Sequence, residues 1–186
     1  MKTFIFATII IFAVIGGILL IDRTNNNSAT SGLKVGEEAP DFQVQDYSGK
    51  TISKGDYKDK NILLYFNEGV GCPPCWQQAA TLSADKEKFS ALNVELLTIV
   101  IDPVEQIKTY MENYKITMPV MLDEDKKMSS DYQVLNMDSS MHMGARPGHT
   151  FVLVGTDNKI KWVGDYPEMN VSNEQIFEKV KIALGK

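Results

Sequence analysis

The two cysteines of this 186-residue chain stand together as Gly71-Cys72-Pro73-Pro74-Cys75-Trp76. Two thiols are too few for a four-thiolate zinc site or a disulfide-stapled miniprotein, and the CxxC spacing suits a redox pair. The apolar run Ile62 to Phe66 comes before them and helix-forming sequence follows from Trp76. This context predicts Cys72 at the exposed N-terminus of a helix, where unpaired N–H groups and the helix dipole stabilise a thiolate. Cys72 is therefore the expected nucleophile. Cys75, about one helical turn on, is the expected resolving thiol, which closes a disulfide after a mixed-disulfide intermediate. Pro73 and Pro74 remove two backbone donors and fix φ, shaping the loop. A structural bridge, or half of a metal site, are the competing uses of the same pair.

A second group of reactive side chains is Met137, Met141, His142 and Met143, with His149 further on, and it contains both histidines of the chain. Thioether, imidazole and thiolate donors suit Cu(I), so copper delivery or reduction is an alternative chemistry, although methionines also fill irregular cores. No cofactor is expected. With 19 Lys+Arg against 24 Asp+Glu, a net charge of -5 and no basic stripe, the chain has no general attraction for nucleic acid.

The elements that must position these groups follow from periodicity. Ala39-Pro40-Asp41-Phe42 begins an extended segment, Tyr47-Ser48-Gly49-Lys50 a turn, and Ile62 to Phe66 a central strand. Trp76 to Leu92 predicts a helix, Val94 to Ile101 a buried strand, and Pro103 a helix start with Ile107, Tyr110 and Met111 on one face. Met118 to Leu122 and Phe151 to Val154 read as strands, the latter joined through Gly155-Thr156-Asp157-Asn158 to a hairpin partner at Ile160 to Val163. A last helix is expected at Asn173 to Leu184, with Asn173 available as its cap. The sum is an α/β fold, a mixed sheet covered by helices.

In front of this lies Phe4 to Ile21, eighteen residues without a charge, which as a helix would span about 27 Å. It predicts an N-terminal transmembrane helix or signal segment over residues 1–21. Asn25 to Gly32 is polar and rich in small residues, so 22–34 reads as a flexible tether and 35–186 as the folded domain. Lys2 before the span, with Asp22 and Arg23 cancelling after it, favours a cytoplasmic N-terminus and a domain outside the cytoplasm. The expected localisation is single-pass in the cell membrane, or secreted if the segment is cleaved, with the lipid bilayer as a partner through residues 4–21.

Four motifs give the domain a resemblance: Gly36-Glu37-Glu38-Ala39-Pro40-Asp41-Phe42, Leu63-Leu64-Tyr65-Phe66, Cys72-Pro73-Pro74-Cys75, and Pro147-Gly148-His149-Thr150-Phe151-Val152-Leu153-Val154. Over Val35 to Lys186 the chain resembles the thioredoxin-like superfamily, more closely its membrane-attached TlpA/ResA-like thiol-disulfide oxidoreductases and the neighbouring redoxin (AhpC/TSA-like) branch. The resemblance implies a thioredoxin-like fold with a central mixed β-sheet, attack by Cys72 and release by Cys75. It implies a cis proline facing the cysteines, for which Pro147 is the nearest match, and a carboxylate near Cys75, for which Glu68 stands. It departs from the pattern at Gly71, where relatives carry Trp, and in the longer loop Asn67-Glu68-Gly69-Val70-Gly71. The peroxiredoxin pattern Pro-x-x-x-Thr-x-x-Cys would need Pro and Thr where Tyr65 and Gly69 stand, while Arg146 is a candidate positive charge for Cys72.

The sequence thus predicts an extracytoplasmic thiol-disulfide oxidoreductase exchanging electrons with protein disulfides and dithiols, with Cys72, Cys75, Pro147 and Glu68 as site residues. A membrane or extracytoplasmic redox protein is its expected partner. The alternatives are a copper-binding metallochaperone and a thiol-dependent peroxidase.

Overall fold

The computed structural model describes residues 33–169 and 171–186. Seven strands, β1 (Gln43–Asp46), β2 (Thr51–Ser53), β3 (Asn61–Phe66), β4 (Val94–Val100), β5 (Val120–Leu122), β6 (Thr150–Val154) and β7 (Ile160–Asp165), join in the order β2-β1-β5-β4-β3-β6-β7. The pairs β3/β4 and β4/β5 are parallel, and the remaining pairs are antiparallel. Among the described residues five α-helices flank the sheet: α1 (Pro73–Ala84), α2 (Lys86–Ser90), α3 (Val104–Tyr114), α4 (Lys127–Asp131) and α5 (Asn173–Ala183). This is an α/β thioredoxin-like fold with a central mixed sheet.

β3 explains why the sheet sits at the centre. All six of its residues are buried, and alternation sends Leu63 and Tyr65 to one core with Trp76, Phe89, Ile107 and Ile176, and Ile62, Leu64 and Phe66 to another with Phe42, Met128 and Tyr132. A strand apolar on both sides needs cover on both, and the helices supply it. The cysteine loop leaves the C-terminal end of this strand, so an element buried along its whole length anchors the reactive segment.

Several expectations are corrected. Among the described residues no helix is long and apolar enough to cross a membrane. The longest of them, α1, has 12 residues, about 18 Å of rise against a hydrocarbon core of about 30 Å. The transmembrane helix of the expected fold class, the single-pass membrane localisation and the lipid bilayer as a partner are therefore not supported among the described residues. Phe4 to Ile21, which suggested them, and residues 22–32 of the expected tether lie outside the described residues. The helix expected over Trp76 to Leu92 is two helices, because Asp85, with φ -95° and ψ 6°, breaks the run while its N–H still caps Thr81 O. The cap of α5 is Ser172, whose side chain accepts from Gln175 N; Asn173 instead turns toward α1.

Candidate active site

Cys72 is the N-cap of α1, and its sulfur accepts a hydrogen bond from Cys75 N at 3.3 Å. The helix begins here because Pro73 and Pro74 occupy its first positions, where a missing N–H costs nothing and φ is already helical. The two cysteines are joined in a disulfide with a Cα–Cα distance of 5.3 Å, within the ordinary range for such bridges. Cys72 is 2% exposed and Cys75 wholly buried, so the nucleophile expected at an exposed helix end is covered instead. The orienting N–H is present all the same, and in the reduced protein it would favour the Cys72 thiolate.

The loop before Cys72 is held from four sides. Gly69 N donates to Asn67 Oδ1 at 2.9 Å, Cys72 N donates to Gly69 O at 3.1 Å, and Trp76 Nε1 donates to the same Gly69 oxygen at 3.0 Å. Val70 N donates to Asp102 Oδ2 at 2.8 Å. Asp102, buried just past the end of β4, also takes Arg146 Nη2 on Oδ1 at 2.9 Å and Nη1 on Oδ2 at 3.2 Å. The same Nη1 donates to Glu68 O at 2.6 Å. Gly69 makes the close approach possible: it has φ +70°, and a Cβ there would lie 1.8 Å from Asp102 Oδ2.

Glu68 is buried, and its Oε1 accepts from Met141 N at 2.7 Å and lies 3.5 Å from His142 Nδ1. Its carboxylate thus ties the 139–147 segment to the cysteine loop. Pro147 is buried, and no peptide bond among the described residues is cis, so the bond before it is trans. Arg146 is committed to Asp102 and the Glu68 carbonyl.

The methionine and histidine group does not assemble. Met141 and Met143 are 64% and 61% exposed, whereas His149 is fully buried and its ring faces Tyr65 and Gln78. Among the described residues no group of three or more His, Cys, Asp or Glu is placed to hold a metal ion.

Beneath Cys75 lies a polar patch that sequence reasoning missed. Tyr65 OH is 3.0 Å from His149 Nδ1 and 3.3 Å from Cys75 O, and its ring stacks on Phe151 at 4.6 Å. Burial pushes the Tyr65 hydroxyl well above its ordinary pKa, and it stays protonated. Burial also lowers His149 to about 4, against the opposing pull of Asp165, so its ring is neutral at pH 7. His149 N donates to Ser139 Oγ at 2.7 Å, a closeness that requires Gly148, where a Cβ would meet Ser139 C and Ser140 N at 2.4 Å. The sequence signal for Asp102 was a carboxylate ending an otherwise apolar strand; its partners, 32 and 44 residues away, gave none.

Residues 35–163 match the AhpC/TSA family. The chain is 30% identical over 135 residues to the chloroplastic peroxiredoxin Q of Suaeda salsa, covering 72% of this chain and 61% of that protein. It is 26% identical over 137 residues to the thiol-disulfide oxidoreductase ResA of Bacillus cereus (strain ATCC 10987 / NRS 248), covering 73% and 79%. The chain therefore spans about three fifths of the length of the first of these relatives. In structure it is similar to the reduced 2-Cys peroxiredoxin of Plasmodium vivax, with a TM-score of 0.70 at 21% identity, covering 81% of this chain and 96% of that one. The expected placement with the membrane-attached TlpA/ResA-like proteins is corrected accordingly: the matching family is that of the peroxiredoxin-like redoxins, and no membrane anchor is found among the described residues.

Proposed function

Given that the chain belongs to the AhpC/TSA family and is a thioredoxin-fold redox enzyme with a disulfide-forming cysteine pair, we propose that it is a peroxiredoxin-like, thiol-dependent peroxidase. The Cys72 thiolate attacks the terminal oxygen of a hydroperoxide; the O–O bond breaks, Cys72 becomes a sulfenic acid, and the alcohol or water leaves with a proton. Cys75 then attacks the Cys72 sulfur and expels water, which gives the disulfide found in the structure. A dithiol reductant returns two electrons and two protons. The observation that carries this reading is the closed Cys72–Cys75 bridge at a helix N-terminus in a chain of this family.

A second reading, exchange with protein disulfides, is favoured by one specific feature. The position three residues before Cys72, where the peroxiredoxin pattern has a threonine, is Gly69, and its φ of +70° and its approach to Asp102 leave no room for a side chain. The hydroxyl that would hold a peroxide is absent from that place, whereas attack on a sulfur needs no such group. Glu68 enters both readings as the carboxylate that ties the segment carrying Met141 and His142 to the cysteine loop.

Single-turnover oxidation of the reduced protein separates them. Hydrogen peroxide should quench or restore tryptophan fluorescence in a second-order step that Cys72→Ser abolishes, and Cys75→Ser should stop at a sulfenic acid that dimedone labels. Oxidation no faster than that of a free thiol at the same pH refutes the peroxidase. Rapid reduction of insulin disulfide, with a mixed disulfide trapped by Cys75→Ser, would then establish the second reading.

A further inference from the structure

An open cleft of about 700 Å³ begins at the cysteine motif and runs between α1 and the turn that leads from β7 into α5. Pro73 and Pro74, the two residues between the cysteines, are both exposed and line its first wall; Met169 lines it from the turn. Met169 has φ +53°, which an L-residue seldom adopts, and its N–H closes the turn onto Tyr166 O at 2.9 Å. The floor is built from side chains already bonded to one another. Asn173 Oδ1 accepts from Gln78 Nε2 at 2.9 Å and from Thr81 Oγ1 at 3.1 Å, and its Nδ2 donates to Asp85 Oδ2 at 2.8 Å. These bonds tie α5 to α1, so the cleft is formed before anything enters it and an occupant need not order it. Its charge is one-sided. Asp85 and Glu168 line it, and among the described residues no Lys or Arg does. Hydrogen bonds from Asn173 and then Lys88 hold the Asp85 carboxyl below its usual pKa. Lys88 pairs with it at 2.9 Å, while Glu174, next to Asn173, adds a third carboxylate within reach of the same ammonium. Three carboxylates against one ammonium leave the cleft and its rim negative.

We propose that this cleft is the docking site of the reductant, and that the reductant is a protein presenting its dithiol on an extended, positively charged segment. The proposal rests on Cys72 and Cys75 cycling between bridge and dithiol, which both functional readings require. Cys75 is wholly buried, so an incoming thiolate meets Cys72, and the chain that carries it must lie against the residues beside Cys72. Those are Pro73 and Pro74, and beyond them the cleft. Gln77, exposed on its rim, offers an amide that donates to and accepts from a peptide backbone. The two prolines and the Met169 thioether supply apolar contact that adapts to varied side chains. Lys or Arg side chains of the segment would answer Asp85, Glu168 and Glu174. In the reaction the reductant's thiolate attacks the Cys72 sulfur, the Cys72–Cys75 bond breaks, and the departing Cys75 thiolate takes up a proton. The second thiol of the reductant, giving its proton to solvent, attacks its own partner sulfur in the mixed disulfide and releases Cys72. Two electrons pass to this protein, and the reductant leaves as a disulfide.

The test follows the reductive half of the cycle alone, in the full chain and without peroxide. Two dithiol peptides of equal length share a Cys-Gly-Gly-Cys centre, one flanked by lysines and the other by glutamates. Each reduces the oxidised protein, the product is read by acid quench, alkylation and mass spectrometry, and rates are referred to the thiolate concentration of the peptide. At low salt the lysine peptide should react roughly 10-fold faster, a modest gain for electrostatic steering. The preference should fade at 1 M salt, where the screening length is about 3 Å. Glu168→Lys should lower the ratio of the two rates roughly 10-fold. Glu124→Lys, the same change of net charge at an exposed site before α4, should lower it far less. In NMR, Cys75→Ser joined through Cys72 to a single-cysteine lysine peptide should show the side-chain amide signals of Gln77 displaced. Equal effects of the two Glu→Lys changes, equal rates of the two peptides with the wild type at low salt, or an unmoved Gln77 overturns the proposal. Failure of hydrogen peroxide to oxidise the reduced protein would refute the peroxidase and leave the docking result standing. A bridge that no dithiol opens would overturn the redox pair itself, and the docking site with it.

Discussion

Replacing Gly69 with alanine should cost this protein a large share of its stability, and the structure gives the reason in two parts. Gly69 has φ +70°, a region where an L-residue is disfavoured by about 1 to 2 kcal/mol. The added Cβ would lie 1.8 Å from Asp102 Oδ2, so the carboxylate must turn away and give up its bonds from Val70 N at 2.8 Å and Arg146 Nη1 at 3.2 Å. Hydrogen bonds to charged groups contribute about 1.5 to 3 kcal/mol each. Together these make the substitution worth about 4 to 8 kcal/mol, comparable with the whole stability of a small domain. Urea denaturation should show the midpoint falling sharply. Asp102→Ala removes the obstacle, so in that background the same glycine substitution should cost only the backbone part, about 1 to 2 kcal/mol. The difference between the two costs is the coupling of Gly69 to Asp102. Costs that add to within about 0.5 kcal/mol would show that the loop does not depend on the carboxylate, and the account of the site would fail.

Two further outcomes are expected. His149 is neutral in the fold, lowered to about 4 chiefly by burial, and near 6.5 in the unfolded chain. Above pH 6.5 both states are neutral there; as the pH falls toward 4 the unfolded chain binds a proton that the fold refuses, and stability drops by about 3 kcal/mol at about 1.4 kcal/mol per pH unit. His149→Asn should flatten this part of the acid limb in urea midpoints measured from pH 7 to 4.5, and an unchanged slope would place its origin in other groups. Gly148→Ala must push the backbone of Ser139 and Ser140 aside, an overpacking worth about 1 to 3 kcal/mol; a melting curve within error of the wild type would contradict the packing described.

What the residues determined by themselves was local. The apolar run into the CxxC, the prolines at the helix start and the alternation of strand and helix placed both cysteines at a helix N-terminus and gave the order of the elements, because hydrophobic period and backbone restriction act over a few residues. The same locality misled at Asp85 and at the α5 cap, where one residue's backbone angle or neighbour decides the boundary. The length and apolarity of Phe4 to Ile21 suggested a spanning helix that the described residues do not contain. Folding alone decided the rest. Asp102 and Gly69 meet through a parallel pairing of β3 with β4, His149 reaches Tyr65 through the antiparallel pairing of β3 with β6, and both events join residues far apart in the chain. The sequence supplied the thiols; the sheet register determined which carboxylate holds their loop and which imidazole lies beneath them, since non-local contacts are set by the packing of whole elements and leave no periodic trace in either partner.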